Sequence, residues 1–314
     1  GLVTQRTVKA MAQALATCPF ARHGGLLDRA ELARRIRGVE TPARERVASG
    51  PLEYRDSGRA PSSAEIAYRQ QDLEKARDVQ TNMFSRLPTI PGYEFGVHYS
   101  AQQQVSGDFY DVITLDDERC LMVVGDVTGH GMQAALVATS ALKALRIMVK
   151  QGLGHDLRKL LGELNENVKT DLLPGQFITL FAAVFDHQSD SGTAVLAGHH
   201  PAIIARGGDE PSLRSIGAKG AAIGILPSAT LMRVLSPVEF ELASDEVLVQ
   251  FTDGVVEAPG KGGEEFGMHR LVAEVFRHIN EEMRVMADGI AAASVAHEGG
   301  STADDVTVFA LRRR

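Results

Sequence analysis

The chain has 314 residues, of which 44% are hydrophobic and 23% are charged, and its net charge is −7. These values are typical of a globular protein, and the negative charge argues against nucleic acids or an anionic membrane as partners. No apolar run approaches the ~20 residues that a membrane-spanning helix needs, and Cys18 and Cys120 are too few for a disulfide framework. We therefore expect a cytoplasmic chain with one large domain and an additional segment.

The first part of the chain contains helical patterns and a linker. Residues 1–60 are predicted to form a small helical segment of unknown role, followed by a stretch rich in Gly, Pro and Ser. Ser62 and Glu65 form a capping box, so we predict a helix over 62–87 that ends before Pro88. Its apolar seam is thin, which is typical either of a surface helix packed on its own domain or of a helix that dimerises or couples a signal.

From residue 93 onward the predicted elements come in runs of strands and pairs of helices. The predicted strands are 94–100, 109–115, 120–127, 177–185, 193–197, 202–205, 212–216, 221–225, 231–241, 246–251 and 306–311, and the predicted helices are 130–150, 155–170, 267–279 and 281–296. Because single strands and helices do not alternate, this order predicts an α+β fold of antiparallel sheets covered by helix pairs. The domain is expected to span 91–314, with segment 61–90 before it as a linker or switch helix.

Acidic residues stand at the ends of several predicted strands. The set comprises Asp108, Asp126, Asp253 with Glu257, and the pair Asp304–Asp305. One Asp-Gly is usually only a turn, but several crowded carboxylates repel one another unless a cation compensates them. Oxygen ligands favour Mg²⁺ or Mn²⁺. Two such ions bridged by a carboxylate can activate a water and bind phosphoryl oxygens, so the sequence indicates a phosphate ester as substrate.

Other phosphate chemistries are not supported by the sequence. A cysteine phosphatase loop requires an arginine six residues after the cysteine, but these positions hold Asp126 and Gly24. Neither Lys219 nor Lys261 lies in a Walker loop. The run 129–134 matches G-x-G-x-x-A after a strand. A second helix follows it instead of a parallel strand, so a dinucleotide site is not expected.

Two histidines lie near these acidic strand ends. His130 follows Asp126 in the central turn, where it could orient water or donate a proton, or only pack the turn. His199 follows a predicted strand, where it could reach the site or only brace it. A lone histidine without a paired acid is usually structural.

Five motifs occur in order along the chain. They are Gly107-Asp108-Phe109-Tyr110-Asp111, Gly125-Asp126-Val127-Thr128-Gly129-His130-Gly131, Ala197-Gly198-His199, Thr252-Asp253-Gly254-Val255-Val256-Glu257 and Asp304-Asp305-Val306-Thr307. Together, over roughly residues 72–312, they resemble the bacterial SpoIIE/RsbU-type branch of the metal-dependent PPM (type-2C-like) serine/threonine phosphatases. The resemblance implies a four-layer α-β-β-α sandwich of two antiparallel sheets flanked by helix pairs, with two Mn²⁺ or Mg²⁺ ions at one edge.

The resemblance also implies roles for individual residues. The implied metal ligands are Asp108, Asp126, Asp253, Asp304 and the backbone carbonyl of Val127, with Asp126 as the bridging ligand and with Asp305 and Asp111 as further candidates. Residues implied to shape the site or contact substrate are Gly107, Thr128, Gly129, Gly131 and His199, with His130 as a candidate catalytic residue. The implied reaction is direct attack of metal-activated water on a phosphoserine or phosphothreonine.

The implied substrate is a phosphorylated STAS-domain anti-sigma-factor antagonist, in partner-switching control of transcription. Two features depart from the family pattern: Ser106 stands where this branch often has glycine, and residues 101–107 lack the arginine with which eukaryotic relatives hold phosphate. Residues 1–60 match no sensor that would supply an input signal. Two alternatives stay open: a docking module of the same fold with little activity, and a two-metal phosphohydrolase of small phosphate esters.

Overall fold

A computed structural model describes residues 63–84, 86–218 and 220–314. The helical segment predicted at 1–60 and the cap predicted at Ser62 lie outside these residues. The strands are β1 (Tyr93–Ser100), β2 (Asp108–Thr114), β3 (Arg119–Val127), β4 (Ile178–Asp186), β5 (Ser191–Ala197), β6 (Ala202–Arg206), β7 (Ser212–Ile216), β8 (Val238–Glu241), β9 (Val247–Phe251) and β10 (Val306–Arg313). The α-helices are α1 (Ser63–Met83), α2 (Met132–Lys150), α3 (Leu157–Val168), α4 (Ser228–Val234), α5 (Asp253–Val256), α6 (Gly267–Arg277) and α7 (Met283–Glu298).

The strands form two five-stranded antiparallel sheets. The first sheet has the order β1-β10-β9-β6-β7, and the second has the order β2-β3-β4-β5-β8. In each strand successive side chains point to opposite faces of the sheet, so one set faces the other sheet and the alternate set faces a helix layer.

Three hydrophobic cores define four layers. Helices α2 and α3 pack on the outer face of the second sheet, where Leu121 and Val123 of β3 are fully buried. Helices α6 and α7 pack on the outer face of the first sheet. The third core lies between the sheets and includes Met122, Phe181 and Phe309. The predicted α+β fold, an α-β-β-α sandwich, is confirmed.

Helix α2 is long and apolar enough to span a membrane by length and composition alone. Its Val137, Leu142 and Leu145 are buried in the core under the second sheet, and four alanines on the same side let the helix approach the strands closely. It is therefore a core helix.

Two predicted strands are wrong. Residues 221–225 form no strand, and Ile223 makes only an isolated bridge with Ile178. The predicted strand 231–241 is divided into helix α4, which begins after Pro227, and the short strand β8. The first run is too short, and the second mixes apolar residues with Arg233, Glu239 and Glu241, so neither has a periodicity that distinguishes a helix from a strand.

Helix α1 is attached to the sandwich at its C-terminal end. It ends at Met83, earlier than the predicted position 87. Phe84, the next residue, stacks on Tyr110 of β2 and packs edge-on against Tyr99 of β1. Val79 is 63% exposed, so the helix leaves this apolar side chain uncovered.

Candidate active site

A row of polar side chains crosses the second sheet at the end of β3. Asp108 of β2 is paired directly with Asp126 of β3, and Asp126 is paired with Thr179 of β4. Residues paired across antiparallel strands share a face, with Cβ atoms about 5 Å apart. This face is the inner one, because Val124 and Met122 continue it into the core between the sheets. The fold therefore places two predicted metal ligands side by side.

The first sheet contributes two hydroxyls to this row. Thr252, directly after β9, and Thr307 of β10 each donate a hydrogen bond of 2.7 Å to Oδ2 of Asp108. The Thr307 amide also donates to the Thr252 hydroxyl at 3.0 Å. These contacts join the two sheets at the acidic end and fix the orientation of the Asp108 carboxylate, which is 1% exposed.

The environment of Asp108 disfavours its charge. Burial raises the pKa of Asp108 well above its usual range; the Thr307 and Thr252 hydroxyls oppose this rise, and the negative charges of Asp305 and Asp253 add to it. A carboxylate in such a place is stabilised when a cation binds to it. The electrostatics of the site therefore suit a positively charged ligand.

The turn that carries Asp253 packs closely against the segment that carries Asp304. Both side chains are half-buried. A Cβ atom on Gly254 would lie 2.0 Å from the carbonyl oxygen of Asp305 and 3.4 Å from Cβ of Asp304, so only glycine fits there. The Asp253–Gly254 turn thus rests on the segment that carries Asp304.

Asp305 holds the loop that precedes Asp108. Its two carboxylate oxygens accept hydrogen bonds from the backbone amides of Gln102, at 2.7 Å, and Gly107, at 2.8 Å. The side chain is 3% exposed. Both oxygens hold the loop between β1 and β2, which gives Asp305 a structural role, and its assignment as a further metal ligand stays a prediction.

Asp111 does not reach the site. It lies three residues after Asp108 on β2 and therefore on the opposite face of the sheet. There its Oδ2 accepts a 2.6 Å hydrogen bond from Nε of Arg146 in helix α2. The prediction of Asp111 as a further ligand is corrected to a buried ion pair between the sheet and the helix layer.

The turn after β3 is held to its neighbours by backbone contacts. The Val127 amide donates to the Gly107 carbonyl at 3.2 Å. A Cβ on Gly107 would lie 2.9 Å from the Val127 carbonyl oxygen, so this glycine lets that oxygen lie beside the chain that leads into Asp108. The Thr128 hydroxyl donates to the Phe177 carbonyl at 3.0 Å and accepts from the Phe177 amide at 2.9 Å, which ties the turn to the residue before β4.

Gly129 and Gly131 both have positive φ, at 98° and 76°, and allow the chain to turn sharply into α2. His130 between them is exposed, and its Nδ1 lies 3.2 Å from the side-chain nitrogen of Gln103. The structure therefore places His130 at the solvent side of the turn.

His199 is buried beside the acidic row. Its Nδ1 lies 2.9 Å from the hydroxyl of Thr179, the neighbour of Asp126 across β3 and β4. Burial lowers the pKa of His199 to about 3, and the nearby His200 adds to this effect. A neutral, fixed ring at this position suits bracing of Thr179 better than proton transfer.

Sequence reasoning missed the connection between Gln80 of helix α1 and the site. The Gln80 amide donates to the Ser106 carbonyl at 2.7 Å and accepts from the Ser106 amide at 3.1 Å. The Ser106 hydroxyl then accepts from the Asp108 amide at 2.9 Å. Gln80 is 7% exposed on a largely polar helix. Its burial is determined by the partner loop, so the polar pattern of the helix gives no sign of it.

The oxygen donors of Asp108, Asp126, Asp253, Asp304 and the Val127 carbonyl match the ligand preference of Mg²⁺ and Mn²⁺. Within 63–84, 86–218 and 220–314, no three His, Cys, Asp or Glu side chains are grouped so that they could hold one metal ion. Metal binding would therefore require these side chains to rearrange, which repulsion between carboxylates opposes until a cation compensates it. The donor types and the charge of the site fit the predicted ions.

The fold and the acidic end of the sheets define the class of protein. The PP2C domain of SiaA from Pseudomonas aeruginosa has a similar structure, with a TM-score of 0.67 and 21% sequence identity over 80% of this chain and 99% of that one. The sandwich is therefore that of the PPM, or PP2C-type, phosphatases.

The family model for stage II sporulation protein E (SpoIIE) matches residues 116–314, which is more than half of the chain. The chain belongs to the SpoIIE family, the SpoIIE/RsbU-type branch of the PPM phosphatases. Protein IcfG of Synechocystis sp. is 26% identical over 269 residues, which are 77% of this chain and 41% of that protein. The phosphoserine phosphatase RsbU of Bacillus subtilis is 25% identical over 246 residues, which are 77% of this chain and 70% of that protein.

Proposed function

We propose that this chain is a metal-dependent protein phosphatase that hydrolyses phosphoserine or phosphothreonine. One observation carries the proposal: Asp108 and Asp126 lie side by side at the end of the sandwich where the Asp253–Gly254 turn packs against the Asp304–Asp305 segment. The similarity to a protein named phosphoserine phosphatase RsbU supports the same reaction class.

Each residue of the site has its own proposed role. Asp108, Asp126, Asp253, Asp304 and the Val127 carbonyl would hold two Mn²⁺ or Mg²⁺ ions, with Asp126 between them. Such ions, when bound, lower the pKa of a water and offset the charge of the phosphoryl oxygens. Thr252 and Thr307 hold the Asp108 carboxylate in one orientation through their 2.7 Å hydrogen bonds. His130 is the candidate proton donor to the departing serine oxygen, because it lies exposed in the turn after Asp126.

The proposed substrate is a phosphorylated STAS-domain anti-sigma-factor antagonist, in partner-switching regulation in the cytoplasm. This finer assignment rests on the family resemblance of the five motifs. A folded protein substrate is compatible with the position of the acidic row at an end of the sandwich.

Helix α1 is proposed as the regulatory element and as the contact for a homodimer. Its Gln80 side chain is joined to Ser106, one contact away from Asp108, so a movement of the helix would reach the site directly. Tyr68 and Val79, which are 65% and 63% exposed, leave apolar surface for a second helix. Leu73→Asp should change activity or dimerisation, measured by turnover and by sedimentation. If both stay unchanged, the helix is only a surface element.

The decisive experiment measures hydrolysis with and without Mn²⁺ on two substrates, a phosphoserine STAS protein and an aryl phosphate. Asp126→Asn should abolish both activities and leave the circular dichroism spectrum intact, because the amide cannot bridge two cations. Asp186→Asn, at the other end of the same sheet, is the matched control and should be silent.

Three outcomes would change the proposal. Retained turnover in Asp126→Asn would refute the bridging assignment. Absence of metal-dependent turnover on both substrates would favour the docking module. Faster turnover of small phosphates than of the phosphoprotein at equal concentrations would favour the small-ester phosphohydrolase.

A further inference from the structure

Three apolar side chains are exposed together beside the candidate site. Met132, Leu136 and Leu173 are 40%, 62% and 54% exposed. Met132 and Leu136 are one helical turn apart on the same face of α2. Leu136 and Leu173 line one surface cavity of about 300 Å³. Met132, Leu136 and Leu173 together are here called the α2 patch. Single exposed apolar residues are common, but a cluster around a depression is typical of a binding surface.

The α2 patch is continuous with the turn that follows Asp126. Gln176 bridges the two: its side-chain oxygen accepts from the Leu173 amide at 3.2 Å, and its side-chain nitrogen donates to the Thr128 carbonyl at 3.2 Å. At the other side of the patch, Met132 directly follows Gly131, the last residue of the turn. The patch therefore lies at the border of the proposed catalytic centre.

This position limits what can cover the patch during catalysis. A phosphoserine side chain is short, so a folded protein that brings its phosphate to Asp108 and Asp126 must lay its own surface over the adjoining turn. The first turns of α2 and the loop that carries Leu173 continue that surface outward. A small phosphate ester needs no contact beyond the acidic row.

We propose that the α2 patch is the docking surface for the phosphoprotein substrate, which would place an apolar side chain near its phosphoserine in the depression between Leu136 and Leu173. This inference rests on the proposed phosphatase activity and adds to it the part of the chain that recognises protein. Central apolar contacts of this kind dominate the affinity of protein interfaces.

The test compares Leu136→Glu and Leu173→Glu with the unchanged chain at saturating Mn²⁺. The substrates are a phosphoserine STAS protein and an aryl phosphate. Because a buried carboxylate replaces an apolar contact, kcat/KM for the phosphoprotein should fall at least about tenfold. The kcat/KM for the aryl phosphate should stay within about twofold of that of the unchanged chain. Both leucines are exposed, so neither variant should alter the thermal unfolding midpoint.

Ile147→Glu is the matched control. Ile147 is on the same helix, is 54% exposed, and lies about three turns farther along the same face, away from the site. It should leave both substrates unaffected.

The inference is overturned if kcat/KM for the phosphoprotein is unchanged in Leu136→Glu and Leu173→Glu, or if kcat/KM falls equally for both substrates. It is overturned as well if Ile147→Glu lowers kcat/KM for the phosphoprotein to the same extent. It is also overturned if the variants only dissociate a dimer in sedimentation, which would assign the patch to a second copy, or if they accelerate turnover, which would assign it to another segment of this chain. If the unchanged chain hydrolyses neither substrate, the proposed function itself fails, which is a separate result.

Discussion

Replacing Thr307 by valine tests the electrostatics of the acidic row directly, because Thr307→Val removes one hydrogen bond and keeps the side-chain shape. The lost bond, 2.7 Å long, ends on an oxygen of Asp108 that also accepts from Thr252. A hydrogen bond to a charged group contributes about 1.5–3 kcal/mol. Since Thr252 keeps its own bond to the same oxygen, we use the lower value of about 1.5 kcal/mol, which corresponds to about tenfold in binding.

The predicted effect falls on the ionised form of Asp108. The Thr307 hydroxyl lowers the pKa of Asp108, so its removal raises that pKa further and favours the neutral carboxyl, which is a poor metal ligand. The Mn²⁺ concentration for half-maximal activity should rise about tenfold near neutral pH. The acidic limb of the pH profile should move to higher pH. Turnover at saturating Mn²⁺ should return to within about threefold of the unchanged chain.

The assay is aryl phosphate hydrolysis titrated with Mn²⁺ at several pH values, with Thr114→Val as control. Thr114 lies at the exposed far end of β2, the strand of Asp108, and its replacement should be silent. Lower turnover in Thr307→Val with an unchanged Mn²⁺ requirement and pH profile would refute the electrostatic reasoning, because a purely structural defect would produce that pattern.

Three further predictions concern the loop, the charge and the ion pair. Gln80→Leu leaves the buried N–H and C=O of Ser106 without this partner, so the Mn²⁺ requirement should rise severalfold, while Gln70→Leu on the exposed side of α1 should not change it. Without divalent cations, the unfolding free energy should fall as pH rises from the ordinary range of aspartate toward the raised pKa of Asp108, because the folded state holds that proton longer; added Mn²⁺ should remove this slope in chemical denaturation. Arg146→Met should lower the unfolding free energy by about 3 kcal/mol, because it leaves the charge of Asp111 buried without this partner. The Mn²⁺ concentration needed for activity should not change. If it does change, Asp111 is again a candidate metal ligand.

Much of the fold follows from local patterns. Among the residues that the structure describes, apolar alternation and turn residues located nine of the ten strands and the two long helix pairs close to their observed bounds, because side-chain periodicity reports directly which face is buried. The failures at 221–225 and 231–241 fall on a run of only five residues and on a run that mixes apolar residues with polar and charged ones. There the periodicity carries no information, and only tertiary packing decides between strand, loop and helix.

The position of Asp111 on the outer face could have been predicted from strand periodicity. Asp108 and Asp111 are three residues apart on one strand, so a period of two already places them on opposite faces. The motif alone groups them as one acidic cluster. Strand geometry separates them into a candidate ligand and a structural partner of Arg146.

By itself, the sequence determined the class of the fold, the family motifs and which acidic residues stand at strand ends, since these are properties of neighbouring residues along the chain. Only the tertiary structure decided which of those carboxylates lie side by side. Pairing of β2 with β3 placed Asp108 beside Asp126, and the first sheet supplied Thr252 and Thr307 from far along the chain. The link from Gln80 to Ser106 likewise depends on where helix α1 docks, because a buried amide is recognisable only once its partner backbone is in place.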